Sequence, residues 1–367
     1  MMQLLLQTKV HSLLLSHPPK KQKSYNRSTI FPTICGTLGT KLKLLSITNY
    51  DLRGGFEKCA DMLRKMVGLR VLCLKDNKEF KTTFSEVIAS LPCNLRALNL
   101  ESCAMDNFDF TLKSMAPPQM FSNLRELNLS KNLVGNDGFK VILLTLNSST
   151  IEVLNLRSAE IKEIDYQLAM NKLGPNLRIL DISDNTIGNE GFLSLCRSKF
   201  EKLEVLKLQK CSLMSPLSQG EASLLRLSEI GLKDLDVSAN ADLKNEDLTF
   251  ILDELYLTLE ALDISETSVS RIPLEKIEKC KLLKHFDSLV QFSEDTYEFP
   301  EDYAALNSII RKGRITYFSY PRKTIADDFE SFFVPFLGKL RTPRYRILMF
   351  LASVSFKSSS SLGILPK

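Results

Sequence analysis

The chain has 367 residues, of which 44% are apolar and 25% are charged, and its formal net charge is +5. These proportions are typical of a soluble globular protein. No run of residues reaches the roughly 18–20 apolar positions that a membrane span needs, so the composition excludes such a span and we expect no membrane partner.

The N-terminal segment, residues 1–41, differs in charge from the rest. It carries six Lys/Arg and no Asp/Glu, whereas residues 42–285 carry 31 basic and 34 acidic side chains. Lys20, Lys21 and Lys23 follow two prolines and resemble a short nuclear-localisation stretch. The acid-free composition also suits a mitochondrial import signal. Such signals are rich in arginine, however, and Arg27 is the only arginine of the segment, which weakens this interpretation. We expect residues 1–41 to be disordered or to form a loose cap.

A self-similar pattern fills residues 42–285, with blocks such as LRVLCLKDN, LRELNLSKN, LRILDISDN and LEALDISET. In this pattern the last apolar pair alternates with period two, as in a half-buried strand. Strands this short need neighbours, so the pattern predicts about nine stacked repeats with one parallel sheet and a continuous leucine core. The blocks begin at Leu42, Leu69, Leu95, Leu124, Ile151, Leu177, Leu203, Leu232, Leu259 and, weakly, Leu282.

Each strand is followed by a predicted turn and, in several repeats, by a predicted helix. The turn position is Asn77, Cys103, Asn132, Ala159, Asn185, Cys211, Asn240 and Thr267. An asparagine can hydrogen-bond the backbone there, so the turns at Ala159 and Thr267 are expected to be looser. Asn and Asp ahead of apolar runs of period 3.6 predict helices after residues 135–138 and 188–191, and over residues 83–91 and 246–257.

A strand, a turn and a helix in about 27 residues resemble the ribonuclease-inhibitor-like class of leucine-rich repeats. The resemblance covers about two-thirds of the chain. It implies an α/β leucine-rich-repeat solenoid, a horseshoe with parallel strands on the concave face and helices on the convex face. The shorter repeats of extracellular receptors fit less well. The end of the pattern at residues 259–267, with its degenerate successor, also resembles the family of leucine-rich-repeat-containing protein forty-two.

Such solenoids usually bind through the concave strand face, and the alternation predicts which side chains line it. A first column is largely aliphatic, and a second becomes acidic in the C-terminal half. Like charges on one face attract a cationic segment, so we expect this half to bind a protein partner with a basic segment. The predicted site is Val153, Ile179, Asp181, Val205, Lys207, Asp234, Asp236 and Asp263. The alternative is that Asp after the strand leucine is an ordinary solvated residue of this repeat, and Lys207 within the patch favours it.

A third column is predicted to face outward beside the other two. Its members are Thr48, Lys75, Glu101, Ser130, Arg157, Ser183, Gln209, Ser238 and Ser265. None of the three columns contains an aromatic residue. Because the central region is also slightly acidic, nucleic-acid binding is disfavoured.

The sequence predicts no catalytic residue, no metal site, no cofactor and no small-molecule substrate. Solvated strand carboxylates lack the distinct environments that separate the pKa values of a catalytic pair, and no nucleotide-binding or hydrolase motif is present. The eight cysteines include no C-x-x-C pair. We therefore expect reduced structural thiols in a reducing cytosol or nucleus, with disulfides or a metal as alternatives, and Cys73 on the concave face.

The C-terminal part departs from the repeat pattern. Residues 286–305 are acidic, residues 311–323 are basic and aromatic, and residues 329–340 are apolar at roughly helical spacing. We expect a cap or extension over residues 286–357, with a partner-binding amphipathic helix as the alternative. Residues 358–367 are serine-rich and are expected to be a disordered tail.

The expected function is therefore that of a non-catalytic intracellular scaffold or adaptor, cytoplasmic or nuclear, that binds another protein. The alternative is a regulatory subunit, such as a ubiquitin-ligase substrate receptor or a GTPase regulator. No F-box-like motif precedes the repeats, and the long acidic tail that is usual in the GTPase regulators of this fold is absent.

Overall fold

The computed structural model describes residues 12–16, 41–49, 63–77, 91–105, 123–146, 150–164, 168, 172–198, 200–217, 227–269, 273–287 and 317–318. In these ranges twelve strands form a single parallel sheet in chain order, which confirms the predicted α/β solenoid. The strands are β1 (Ser12–Ser16), β2 (Leu44–Thr48), β3 (Val71–Cys73), β4 (Ala97–Asn99), β5 (Glu126–Asn128), β6 (Val153–Asn155), β7 (Ile179–Asp181), β8 (Val205–Lys207), β9 (Asp234–Asp236), β10 (Ala261–Asp263), β11 (His285–Asp287) and β12 (Tyr317–Phe318).

Four helices lie completely within the described ranges and follow strands of this sheet: α1 (Gly135–Thr145), α2 (Gly188–Cys196), α3 (Asn245–Leu255) and α4 (Leu274–Lys279). Three of them correspond to helices that the sequence predicts. The predicted helix over residues 83–91 lies outside the described residues except for Leu91. No helix in the described part of the chain combines the length and the apolarity that crossing a membrane requires.

The sheet extends past both predicted ends of the repeat region. Strand β1 lies in the predicted N-terminal segment and pairs with β2 over five residues. At the other end β11 pairs with β10, and β12 pairs with β11. The register of β11 also corrects the start of the last block: Leu283, 1% exposed, is the buried equivalent of Leu259, whereas Leu282 is 47% exposed.

The core is one continuous stack because the central residue of each short strand points into it. These residues are buried leucines in β3 to β10 and Phe286 in β11, and the longer strand β2 contributes Leu45 and Ile47. The helices face the same core, and Phe139 of α1 and Phe192 of α2 are among its largest fully buried side chains. Burying a side chain of this size stabilises the fold by about 1.5–3 kcal/mol, and neighbouring repeats share each burial.

The asparagine turns connect successive repeats, and Asn132 shows how. Its Nδ2 donates to the carbonyl oxygens of Leu129 and Ser130 in its own turn and to that of Leu100 in the preceding repeat. Its Oδ1 accepts the backbone N–H of Cys103 at 3.0 Å. The amide thus satisfies buried backbone groups of two repeats at once, which is why asparagine suits this position.

The turns alternate in kind along the solenoid. Asn132, Asn185 and Asn240 each cap the turn of the repeat before them, and those preceding turns carry Cys103, Ala159 and Cys211. Helices of nine to eleven residues follow the three asparagine turns. The structural unit in this part of the solenoid is therefore a pair of repeats, in which the second member fixes the turn of the first.

This pairing overturns the expected looseness at Ala159. Ala159 is fully buried, and its N–H donates to Oδ1 of Asn185. The residue before it, Ser158, has φ 52°, close to the φ of 56° at Asp184, which precedes Asn185. The turn at Thr267 likewise keeps its left-handed residue, since Glu266 has φ 56°. Both turns therefore have a left-handed residue at the same position as the asparagine turns.

The polar residues predicted to start helices act between repeats instead. Helices α1 and α2 have no side-chain cap. Asn136 Oδ1 accepts the N–H of Lys162 in the next repeat at 2.8 Å. Asn189 bonds both backbone groups of Met214. In α3, Asp247 accepts the N–H of Lys244 at the helix start and that of Leu217 in the preceding repeat. Helix starts thus add a second set of bonds between repeats.

Candidate protein-binding surface

The side of the sheet opposite the core forms a continuous surface, called here the open sheet face. The register places the predicted site residues on neighbouring strands of this face, from β6 to β10. One row runs through Val153, Ile179, Val205, Asp234 and Ala261, and the next runs through Asn155, Asp181, Lys207, Asp236 and Asp263. All eight predicted residues are half-buried, since neighbours in the same row shield each other.

Strand β11 adds two residues to this surface that the predicted site does not include. His285 continues the first row next to Ala261, and Asp287 continues the second next to Asp263. Asp236, Asp263 and Asp287 are therefore consecutive in one row, at steps of roughly 4.8 Å between strands. The sequence does contain a sign of this strand, because the residues HFD at 285–287 match ALD at 261–263 in the preceding repeat. The flanking residues deviate from the repeat pattern and obscure that match.

The second row has a structural task that the sequence analysis missed. Oδ1 of Asp236 accepts the N–H of Ser238 at 3.0 Å and the hydroxyl of Ser238 at 2.6 Å. Asp263 does the same for Ser265, and Asp181 accepts the N–H of Ser183. In the N-terminal half, the amides Asn99, Asn128 and Asn155 accept the equivalent backbone N–H groups. Because an amide serves as well as a carboxylate, the turn requires the oxygen and not its negative charge.

Lys207 interrupts this row without leaving the turn unsupported. Lysine offers no acceptor, and the N–H of Gln209, two residues later, donates instead to Oγ of Ser183 in the preceding repeat at 3.2 Å. Lys207 lies between Asp181 and Asp236 in register and makes no salt bridge with any described residue. Its ammonium group is one cation among several carboxylates.

The third predicted column is only partly outward. Ser130, Ser183 and Ser238 are buried, with exposures of 3%, 0% and 0%. Their short side chains lie in the turn, where the hydroxyls of Ser130 and Ser238 donate to the Asn or Asp of the second row. The longer side chains at the same position, such as Lys75 and Arg157, extend past the turn and stay on the surface. The predicted outward direction is therefore wrong for these serines.

Elsewhere on this face, several charged side chains are paired. Glu101 bonds Lys75 at 2.9 Å and Lys131 at 2.7 Å. Arg157 bonds Asp184 at 2.7 Å and Oε1 of Gln209 at 2.5 Å. In contrast, Asp234, Asp236 and Asp263 make no salt bridge with any residue that the structure describes. Among the described residues, the cations that act on Asp234 are Lys207 and, when protonated, His285, so the charge of the three carboxylates is not balanced within this part of the chain.

Burial and repulsion from neighbouring carboxylates raise the pKa values of two of these residues, Asp234 and Asp263. Burial raises the pKa of the Asp263 carboxyl to about 6, against the hydrogen bonds from Ser265 and with added repulsion from Asp236 and Asp287. Burial also raises the pKa of Asp234, an effect that Lys207 opposes and Asp236 reinforces. Both shifts indicate carboxylates that hold negative charge at neutral pH at a cost, which a cationic partner would relieve.

The described residues also include thiols and other side chains of the types that bind metal ions. Among them, no group of three or more His, Cys, Asp or Glu side chains has an arrangement that could hold a metal ion. The described cysteines are free, and burial raises the pKa of the Cys103 and Cys211 thiols to about 12. Cys73 is half-buried on the open sheet face, at the predicted position.

Comparison with known proteins agrees with the repeat geometry. A family model described as leucine-rich repeat matches residues 122–143 and 175–196. These two segments are the repeats that contain the Asn132 and Asn185 turns together with α1 and α2. The model therefore matches the second member of two repeat pairs.

Two curated relatives and one solved structure are similar over larger or smaller parts of the chain. Human NACHT, LRR and PYD domains-containing protein 12 is 33% identical over 129 residues, which are 32% of this chain and 12% of that protein. Mouse ribonuclease inhibitor is 27% identical over 251 residues, which are 63% of this chain and 53% of the inhibitor. The chain thus spans between about a tenth and half of the length of these relatives.

A chain in the octameric complex of Latrophilin 3, Unc5D and FLRT2 aligns with a TM-score of 0.45 and 15% identity, covering 94% of this chain and 88% of that one. A likeness this loose adds nothing to the argument. The stacked strand-and-helix units define a solenoid repeat protein whose sheet presents one open face. The chain carries leucine-rich repeats at residues 122–143 and 175–196, and its similarity to ribonuclease inhibitor supports repeats of the ribonuclease-inhibitor-like class.

Proposed function

We propose that the protein is a non-catalytic adaptor that binds a protein partner through the C-terminal half of the open sheet face. The observation that carries this proposal is the cluster Asp234, Asp236 and Asp263, which has no salt bridge within the described part of the chain. The second row needs only an acceptor oxygen, which asparagine supplies in three other repeats. The negative charge is therefore surplus to what the fold requires.

The partner that fits this surface is a protein segment with basic and apolar side chains. The cluster would attract lysine or arginine, and the adjacent aliphatic row would contact apolar side chains beside them. Val153, Ile179 and Val205 form that row. Because they are half-buried, they expose apolar surface for contact without forming a deep pocket. Support from the relatives is general: the mouse protein is named as an inhibitor of a ribonuclease, and so acts on another protein.

The setting that we propose is the cytoplasm or the nucleus. The support is that Cys103, Cys196 and Cys211 are free and buried, which is the use of cysteine expected in a reducing compartment. Lys20, Lys21 and Lys23, the residues of the nuclear-localisation hypothesis, lie outside the described residues.

The test is an affinity purification of the full chain from cell lysate, with partners identified by mass spectrometry. The variant is the triple change Asp181→Asn, Asp236→Asn and Asp263→Asn, which keeps every turn acceptor and removes three charges. The matched control is Glu160→Gln, Glu201→Gln and Glu229→Gln, which removes three charges from exposed residues away from the strands.

A partner that is retained by the wild type and the control and lost from the triple Asp→Asn variant would support the proposal. Equal retention of the same partners by all three proteins would contradict it and move the site elsewhere. Thermal unfolding of each variant establishes that it is folded, so a lost partner reports the lost charge.

A further inference from the structure

A second charged feature lies at the rim where the strands begin. It is the row of residues that immediately precede each strand, called here the strand-start row: Lys43, Arg70, Arg96, Arg125, Glu152, Arg178, Glu204, Lys233, Glu260 and Lys284. Backbone bonds keep the row in register. The N–H groups of Arg70 and Val71 donate to the carbonyl of Lys43, and the same pattern recurs at Arg96 and Arg125. Neighbouring residues are therefore one strand spacing apart, roughly 4.8 Å.

From Arg125 onward the signs of the row alternate and neighbours pair. Arg125 bonds Glu152 at 2.7 Å, and Glu204 bonds Arg178 at 2.7 Å and Lys233 at 3.0 Å. Glu260 bonds Lys284 at 2.5 Å. Each carboxylate in this part of the row is thus matched by an adjacent cation of a neighbouring repeat.

The positions before Arg125 break this rule. Lys43, Arg70, Arg96 and Arg125 are consecutive cations with no acid between them, and this set is the basic row. Lys43 and Arg96 are exposed and make no salt bridge with any described residue. Arg70 donates to the carbonyl of Asn94 at 3.1 Å, which satisfies a hydrogen bond without cancelling its charge.

The surroundings of the basic row carry the same sign. The described residues between 41 and 105 include seven Lys/Arg against two Asp/Glu. The described residues from 227 to 287 include six Lys/Arg against fourteen Asp/Glu. The solenoid is therefore polarised along its axis, and the basic row lies at the end opposite to the acidic cluster of the proposed function.

We propose that the basic row is a second binding surface, which takes an acidic segment of a protein partner in extended conformation. Its three strand spacings add up to about 14 Å, the length of four or five extended residues. Carboxylates along such a segment would relieve the repulsion among Lys43, Arg70 and Arg96, whereas Glu152 already offsets the charge of Arg125. Leu44, Val71 and Ala97, each next in sequence to one of these cations, are half-buried and would contact apolar residues of the same segment.

A protein segment fits this surface better than a nucleic acid does. Sequence-tolerant binding of single strands relies on aromatic platforms for base stacking. The neighbouring rows of β2 to β5 offer Leu44, Val71, Ala97 and Glu126, followed by small or polar residues. Glu126, which is exposed beside Arg125, would repel a continuous phosphate backbone more than it would a segment with spaced carboxylates.

The experiment measures binding of the full chain to a short fluorescein-labelled peptide that alternates glutamate and leucine, by fluorescence anisotropy at low ionic strength. A peptide with glutamine in place of glutamate is the ligand control. The test variant is Lys43→Gln with Arg96→Gln. The matched variant is Arg178→Gln with Lys233→Gln, which removes two cations from the same row where Glu204 balances them.

The double change Lys43→Gln and Arg96→Gln is expected to weaken peptide binding by about tenfold. The reason is that each exposed ion pair between the protein and the peptide raises the affinity a few-fold. The matched variant is expected to bind within about twofold of wild type, and the glutamine peptide is expected not to bind. Three results would overturn the proposal: no binding of the acidic peptide, equal weakening by both variants, or tighter binding of a labelled oligothymidylate than of the peptide. Melting temperatures of both variants verify that they fold.

Discussion

The side-chain oxygen of Asn185 accepts the backbone N–H of Ala159 at 3.1 Å, so a turn with no polar side chain of its own is fixed by the repeat that follows it. The same oxygen accepts the N–H of Ile161 at 2.9 Å. Both N–H groups belong to buried residues. If the amide were removed, neither N–H group could form a hydrogen bond with water instead. The stability of one repeat therefore depends on a side chain of the next.

We predict that Asn185→Ala destabilises the protein by about 2–4 kcal/mol, because it removes the bonds of a buried amide and orphans two backbone donors. Hydrogen exchange of the Ala159 and Ile161 amides should accelerate together with the loss of unfolding free energy in urea. Asn189→Ala is the comparison: its amide is half-buried, and about 1 kcal/mol is expected. An equal cost at both positions would contradict the special role of the turn amide.

The acceptor task of the second row predicts a difference between two changes at Asp236. Asp236→Ala removes the acceptor for the N–H and the hydroxyl of buried Ser238, which should cost about 1–2 kcal/mol. Asp236→Asn keeps that acceptor and should stay within about 0.5 kcal/mol of wild type. Urea unfolding of the two variants measures this. A large loss of stability in Asp236→Asn would mean that the charge itself holds the turn.

The raised pKa of Asp263 predicts how stability depends on pH. Its carboxyl has a pKa of about 6 in the folded chain against an ordinary value of 3.8, so the folded state binds the proton more tightly. The stability that this proton contributes is present below pH 4 and is lost as the pH rises toward 6. Asp263→Asn should abolish this loss and be more stable at pH 7.5 by on the order of 1–2 kcal/mol.

Glu101 should change the free energy of unfolding with pH in the opposite direction to Asp263. Burial alone would raise its pKa, but the hydrogen bonds from Lys131 and Lys75 outweigh that effect and lower the pKa. The stability that Glu101 contributes is therefore present at neutral pH and is lost as the pH falls through its lowered pKa. Urea unfolding from pH 3 to pH 7.5 should show Glu101→Gln and Asp263→Asn removing slopes of opposite sign. Parallel slopes would refute both assignments.

The cysteines should differ widely in reactivity. Cys93 is exposed, whereas burial raises the pKa of Cys196 and, to about 12, that of Cys211. Because the thiolate is the reactive form, iodoacetamide at pH 7.5 should modify Cys93 before Cys196 and Cys211, which should stay unmodified until the chain unfolds. Peptide mapping by mass spectrometry gives the order. Modification of Cys196 as fast as Cys93 would show that this repeat opens readily.

The strands and the core could be predicted from the sequence because apolar alternation alone determines which side chain of each short strand is buried. Leu127, Leu154 and Leu180 are examples, and all three are at most 1% exposed. The order of the rows follows from the same alternation, so the positions of Asp236 and Asp263 on one face were predictable.

What could not be predicted depends on contacts between repeats. The capping of Ala159 by Asn185 joins residues 26 positions apart, and nothing in the local pattern of either turn reveals it. The burial of Ser183 was missed because its hydroxyl fits within the turn, whereas longer residues at the same position reach the surface. The start of the last repeat was misplaced because Leu282 and Leu283 are adjacent, and only the pairing of β11 with β10 distinguishes them.

The one-directional capping by Asn132, Asn185 and Asn240 has a mechanical consequence. Each amide holds the turn of the repeat before it, while its two bonds within its own turn do not depend on that neighbour. Pulling the solenoid apart from its C-terminal end would expose an uncapped turn each time an asparagine repeat detaches. Pulling from the N-terminal end would leave each next asparagine turn still closed on itself. The loss of a terminal repeat should therefore destabilise the remaining solenoid more at the C-terminal end than at the N-terminal end.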